Sequence, residues 1–232
     1  MSNARDMTVP MDSRRGRAAT LLISSHCPHC ARTLAAVVRL VKGGKLSRLE
    51  ILNLDQEPEA ARRYAVRQVP WLRIGPFELT GALSDQEAER WAEHAAAGTG
   101  FADYAASLLE RQGLDRVLAL VREDPGRLAE MLSLLEDDEQ ALGVRIGVSA
   151  VIESLAGEPV LRAAVPVLQQ LCLAPSAQTR ADACHFLGLA GDPTALQSVR
   201  RLLADDDQQV REIAEETIEM LTAGSDGARD TP

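Results

Sequence analysis

The chain has 232 residues, 46% of them hydrophobic but only 3% aromatic, so it can bury a real core but must fill it mostly with Leu, Ala and Val. Its net charge of −9 is unevenly spread: residues 1–100 hold 14 Lys and Arg against 11 Asp and Glu, while residues 101–232 hold 11 against 23. That split points to two domains and sets the acidic half against nucleic-acid phosphates; no run approaches the roughly 18 apolar residues of a membrane span, and four cysteines are too few for a disulfide scaffold, which favours a reducing cytoplasmic setting.

Residues 1–17 are polar, charged and without period, and read as a flexible tail. They carry Arg5, Arg14, Arg15 and Arg17, but Leu21-Leu22-Ile23 is too short for the apolar core of a signal peptide. Ala18 to Ser24 suits a buried strand instead. Cys27 to Val41 then places Cys30, Leu34, Val37, Val38 and Val41 on one helical face, and Gly43-Gly44 ends it. Leu49 to Leu54 reads as a second strand, followed by a helix that opens with Pro58 and ends near Val66. Trp71 to Ile74 and Phe77 to Thr80 are short strands joined by Gly75-Pro76, a hairpin signal. Ser84 and Glu87 have the capping-box spacing for a helix reaching about Ala97. The order βαβαββα predicts a mixed sheet with helices packed on it.

Gly98-Thr99-Gly100 marks the boundary, with 98–102 as linker. Beyond it no segment reads as a strand. Val144-Arg145, Thr179-Arg180 and Val210-Arg211 open three similar segments whose arginines lie 35 and 31 residues apart, the spacing of helical-pair repeats. Helices over 127–137, 159–173 and 193–204 are expected to precede them, with 103–123 adding a further pair or a cap. Such hairpins bury their apolar faces by stacking on one another. The helical domain is thus expected over 103–223, and 224–232 as a disordered tail.

Cys27-Pro28-His29-Cys30, directly after a strand and at a helix start, is the pattern of a thiol–disulfide exchange site. The first cysteine lies where backbone N–H groups and the helix dipole favour a thiolate, and the second is about one turn away. The same spacing is half a zinc site, but zinc needs a second pair of ligands. Cys172, Cys184 and His185 are the other candidates, and they fall in the helical half. Cys172 and Cys184, on Leu- and Ala-rich helix faces, read as buried inert thiols, and His94 and His185 as surface or packing residues.

With Leu52 to Pro58, Tyr64 to Pro70 and Gly81 to Ser84 added to that motif, residues 18–97 resemble thioredoxin. The resemblance implies a compact α/β thioredoxin fold with Val69-Pro70 as its cis-proline loop. It further implies that Cys27 attacks, Cys30 resolves and Pro70 shapes the substrate cleft, with no cofactor beyond a redox-active Cys27–Cys30 disulfide. Pro28-His29 is the pair found in the oxidant DsbA, and His29 is expected to support the thiolate. Three departures stand out: His26 replaces the usual tryptophan, Leu21 and Ile51 fall where the family has a buried acid and lysine, and the family's N-terminal strand and helix are absent. Residues 125–222 resemble short HEAT repeats, which implies an all-α array of helical hairpins that binds proteins, with Asp205-Asp206-Asp207 as a helix cap. The expectation is a thiol–disulfide oxidoreductase acting on a protein partner with a basic face, chosen by the helical array and coupled to a dithiol reductant or oxidant. Neither nucleic acid nor a membrane is expected as a partner. The competing reading is a non-catalytic redox sensor or adaptor.

Overall fold

The computed structural model describes residues 18–137 and 139–227; the expected N-terminal tail and the end of the C-terminal one lie outside that range. The chain divides into two compact units at Gly100.

The first unit is built on a four-stranded sheet of β1 (Ala18–Ile23), β2 (Arg48–Asn53), β3 (Trp71–Ile74) and β4 (Phe77–Thr80), ordered β2-β1-β3-β4. β1 runs parallel to β2 and antiparallel to β3, and β3–β4 is the hairpin expected at Gly75-Pro76. As a central strand β1 is covered on both faces: Ala19, Thr20, Leu21 and Leu22 are all buried. This explains why its sequence is a continuous apolar run rather than an alternating one. Leu22 packs with Leu52, Trp71 and Ala60 of α2 (Pro58–Arg63).

Helix α1 is shorter at its start than expected, spanning Cys30–Lys42. Cys27 precedes a proline, which disfavours helical backbone at Cys27, and Pro28 has no N–H to donate. The thiol motif therefore lies in the turn that leads into the helix. Gly44, at φ +75°, supplies the left-handed residue that ends α1. Helix α3 (Asp85–Ala97) has the expected capping box: Glu87 N donates to Ser84 Oγ at 3.2 Å and Ser84 N to Glu87 Oε2 at 2.8 Å. The two helices pack together, and buried Thr33 accepts a hydrogen bond from Leu83 N at 3.2 Å.

The second unit, among its described residues, is entirely helical: α4 (Phe101–Leu109), α5 (Leu114–Glu123), α6 (Gly126–Leu132), α7 (Leu142–Ser154), α8 (Pro159–Ala163), α9 (Val165–Leu171), α10 (Ala177–Ala190), α11 (Leu196–Leu202) and α12 (Gln208–Gly227). The helix expected over 159–173 is interrupted at Ala164, because Pro166 in the first turn of α9 cannot continue the preceding ladder. Short 3₁₀ turns, Ser133–Leu135 and Pro193–Ala195, complete α6 and introduce α11. Helix α12 runs past Ala223 to Gly227, into the segment expected as tail.

The repeated arginines join the hairpins. Arg145 donates to Leu135 O at 3.1 Å and to Asp182 of the next hairpin at 2.9 Å. Arg180 donates to Pro175 O at 2.8 Å and grips Asp205 with two bonds of 2.8 and 2.7 Å. Arg211 donates to Asp205 O and Asp206 O at 2.6 and 3.0 Å. Asp207 caps α12 by accepting from Gln209 N and Val210 N. The acidic run is thus consumed by bridging and capping, as expected.

Packing is equally specific at Gly147, where an added Cβ would lie 3.0 Å from Leu109 Cβ; at Gly143, one turn away, it would meet nothing within 4 Å. Gly147→Val should therefore destabilise the helical unit by about 1–3 kcal/mol, whereas Gly143→Ala should be neutral or stabilise it by up to about 1 kcal/mol. Urea unfolding of the two variants beside the parent checks the opposite signs.

The Asp205 carboxyl is held below the ordinary carboxylate range, chiefly by the hydrogen bonds from Arg180. A depressed carboxyl gives its full stabilisation above its unfolded pKa, about 3.9, and loses it as pH falls through the lower folded value. Arg180→Ala should cost about 1–3 kcal/mol at pH 7, because it leaves the Asp205 carboxylate with the Asp207 N–H but without its guanidinium partner. Asp205→Asn should flatten the decline in stability below about pH 4. Unfolding at pH 7 and across the acid range reads both.

Candidate functional site

The parallel register of β1 and β2 brings Ile23 opposite Asn53, so the turns leaving both strands emerge side by side. One turn carries Ser24 to His29 and the other Leu54 to Glu57. Cys27 lies within the first turn, with its N–H donating to Ser24 O at 3.2 Å. Its thiol points across to the loop before β3 and donates to Val69 O at 3.6 Å. The Val69–Pro70 bond is cis, and Pro70 is buried. The structure thus brings together three residues the sequence singled out: Cys27, Cys30 and Pro70.

The two sulfurs have different surroundings. Cys27 is partly exposed, while Cys30, the first residue of α1, is only 4% exposed. Burial pushes the Cys30 thiol up to about 11, reinforced by the hydrogen bond and charge of Cys27 and the charge of Asp55, with a backbone hydrogen bond at Ser24 acting the other way. Both cysteines are free thiols here. One accessible sulfur backed by a protonated buried one can react in sequence: the outer thiolate attacks first, and the inner thiol follows once deprotonated.

The intervening residues lie at the surface. Pro28 and His29 are exposed, and His29 is the N-cap residue of α1 with no side-chain capping bond. His26 is exposed, with Nδ1 3.8 Å from Asp55 Oδ2. Leu21 and Ile51 pair in register, and Leu21 is fully buried, so that level of the two strands contributes no charge beneath the thiols. Cys172 and Cys184 are buried in the helical unit as expected, their thiols raised by burial to about 12 and about 11. Among the described residues, no group of three or more His, Cys, Asp or Glu is placed to hold a metal ion. No described helix is long and apolar enough to cross a membrane.

The sequence reading missed Asp55. Its carboxylate accepts from Ser24 Oγ at 3.0 Å and from Ser25 N at 2.6 Å, while Asn53 Nδ2 donates to Ser25 Oγ at 3.1 Å. The carboxyl is held below its ordinary range, first by the Ser25 N–H and then by the Ser25 and Ser24 hydroxyls. Its signal in the sequence was an acidic residue at a strand end, directly after Asn53 and Leu54, but which turn it meets depends on strand register.

Iodoacetamide at pH 7 should alkylate Cys27 and leave Cys30, Cys172 and Cys184 unmodified in the folded chain, because thiolate forms only as pH rises towards each raised pKa. Peptide mapping after a timed quench reads this. Equal labelling of Cys27 and Cys30 would contradict it.

Two family models match the chain: one described as Thioredoxin domain over residues 19–93, and one described as HEAT repeats over residues 128–219. No curated protein matches. The matched segments coincide with the mixed sheet and its helices and with the arginine-linked hairpins, so the chain is a thioredoxin-like domain fused to C-terminal HEAT-like repeats.

Proposed function

We propose that the chain is a thiol–disulfide oxidoreductase acting on a protein partner that its HEAT-like unit selects. The observation that carries this reading is the Cys27 thiol, partly exposed and 3.6 Å from Val69 O beside Pro70, with Cys30 buried behind it. In the reducing direction, the Cys27 thiolate attacks one sulfur of a substrate disulfide and expels the other as a thiolate, which takes up a proton. Cys30 then loses its proton, attacks the Cys27 sulfur and expels the second substrate thiolate, which is protonated in turn. The substrate gains two electrons and the protein is left with a Cys27–Cys30 disulfide, which a dithiol reductant returns to the starting state. With an oxidant in place of the reductant, the same steps run in reverse. In this reading Pro28 and His29 tune the exchange from the exposed turn, and Pro70 shapes the cleft that takes a substrate segment.

The HEAT-like unit supplies the docking surface. Its excess of 23 acidic over 11 basic residues suits a partner with a basic face, and a bound partner's disulfide is held at a raised effective concentration. We place this activity in a reducing compartment such as the cytoplasm, given four cysteines of which two are buried and inert. The apolar Leu21–Ile51 pair favours a second reading, a redox sensor or adaptor without turnover, since that level of the strands offers no acid to assist proton transfer.

Insulin reduction driven by dithiothreitol separates the two readings. The oxidoreductase should precipitate insulin faster than dithiothreitol alone, with the acceleration abolished in Cys27→Ser. An acceleration absent in the parent, alongside a reversible Cys27–Cys30 disulfide, would favour the sensor. A Cys30→Ser variant should retain its partner as a mixed disulfide, with a yield that falls as salt screens the acidic surface.

A further inference from the structure

The turn that presents Cys27 leaves a buried strand and has little apolar anchorage of its own: Ser25 and His26 are exposed and Ser24 is half-buried. Apart from the Cys27 thiol donating to Val69 O, its described hydrogen bonds to distant parts of the chain converge on the end of β2. Ser24 Oγ lies 3.0 and 3.2 Å from the two oxygens of Asp55, and Ser25 N lies 2.6 Å from Oδ2. His26 N donates to Ser24 Oγ at 3.2 Å, so the next residue is tied to the same carboxylate through one intermediary. Asp55 is itself fixed by Asn53, whose Oδ1 accepts from Asp55 N at 3.0 Å while its Nδ2 reaches Ser25. Four side chains thus form a closed polar clasp across the ends of two adjacent strands, one residue short of the Cys27 pair.

From this geometry we propose that Asp55 is the positioning residue of the thiol pair, its carboxylate tethering the turn that carries Cys27. The inference rests on the exchange chemistry proposed above. The clasp holds Cys27 against the Val69 carbonyl, because Cys27 N–H donates to the carbonyl of the Ser24 that Asp55 grips. The same carboxylate adds a little to the rise in the Cys30 thiol that burial and Cys27 chiefly cause.

On α3, Asp85 and Glu89 pair with Arg39 and Lys45, towards the far end of α1 from the thiols. Arg73 of β3 lies over the Tyr64 ring at 5.0 Å, and the adjoining positions of β1, Leu21 and Leu22, are apolar. His26 faces Asp55, and His29 is exposed at the start of α1. The carboxylate that grips the turn therefore comes from the end of β2 rather than from the strand leading into the motif.

The test is the reaction of the reduced full-length chain with 5,5′-dithiobis(2-nitrobenzoate), followed by stopped flow across pH. Cys27 attacks one reagent sulfur and releases one coloured thiolate. Cys30 then loses its proton to buffer, attacks the Cys27 sulfur and releases the second, leaving the Cys27–Cys30 disulfide. The two phases report the two cysteines separately, and a Cys27→Ser blank removes any signal from Cys172 and Cys184. Asp55→Ala, which loses the clasp, should slow the first phase roughly tenfold, and Asp55→Asn, which keeps an acceptor, should restore it to within about twofold of the parent. Ser24→Ala, which removes the hydroxyl bound to Asp55 and leaves the carboxylate in place, should slow the first phase in the same direction as Asp55→Ala. An unchanged first phase in Asp55→Ala overturns the proposal, as does an Asp55→Asn first phase as slow as that of Asp55→Ala. Should Asp55→Ala not fold, the first phase of Ser24→Ala decides, and an unchanged rate there overturns the proposal. The first phase needs no protein substrate, so a failure of insulin reduction with that phase behaving as expected would count against the oxidoreductase reading and leave the role of Asp55 standing.

Discussion

The parallel pairing of β1 with β2 is the constraint on which the thiol end of the first unit depends. Parallel strands finish at the same edge of a sheet, so whatever follows one is delivered next to whatever follows the other. Here the Ser24–Cys27 turn and the Asn53–Asp55 turn meet, and the polar clasp between them forms without any helix contributing to it. The central place of β1 adds the second half of the arrangement. Both its faces are buried, and its register sets Leu21 against Ile51 and Leu72 and Leu22 against Leu52 and Trp71.

The difference between the two sulfurs is a matter of depth. The turn before Pro28 keeps Cys27 near the surface, and the first residue of α1 carries Cys30 under it. One proline thereby separates an accessible thiol from a buried one three residues away, by preventing the helix from starting at Cys27. With leucine at position 21, a carboxylate at a neighbouring strand end, Asp55, serves as the acceptor that shapes the turn.

In the helical unit, hairpins that bury apolar faces against one another are also joined by directional contacts. Aromatic residues are scarce, and Leu, Val and Ala fill the interior. The arginines give the array its register, since each guanidinium reaches a carbonyl preceding its own helix and, for Arg145 and Arg180, a carboxylate of the following hairpin. A planar five-donor group suits this double task in a way that lysine does not. Gly147 serves the same end by letting α7 approach Leu109 of α4 closely.

Much of this was legible in the amino-acid sequence, because it is local. Apolar runs, the Ser84–Glu87 capping box, the Gly75-Pro76 hairpin and the recurrence of arginine every 31 to 35 residues are properties of short segments and of their spacing. The cysteine motif and the proline loop were recognisable for the same reason, as residue types at fixed separations. The interruption of the helix at Ala164 was also written locally, in Pro166, and so was the late start of α1, in Pro28; both yield to the backbone chemistry of proline rather than to the apolar period that extended each helix. Asp55 was of another kind. It lies 31 residues from Ser24, in a segment that by itself reads only as the lead into a helix. Its partners are set by which strand lies beside which and in what register, and register is a property of the folded sheet.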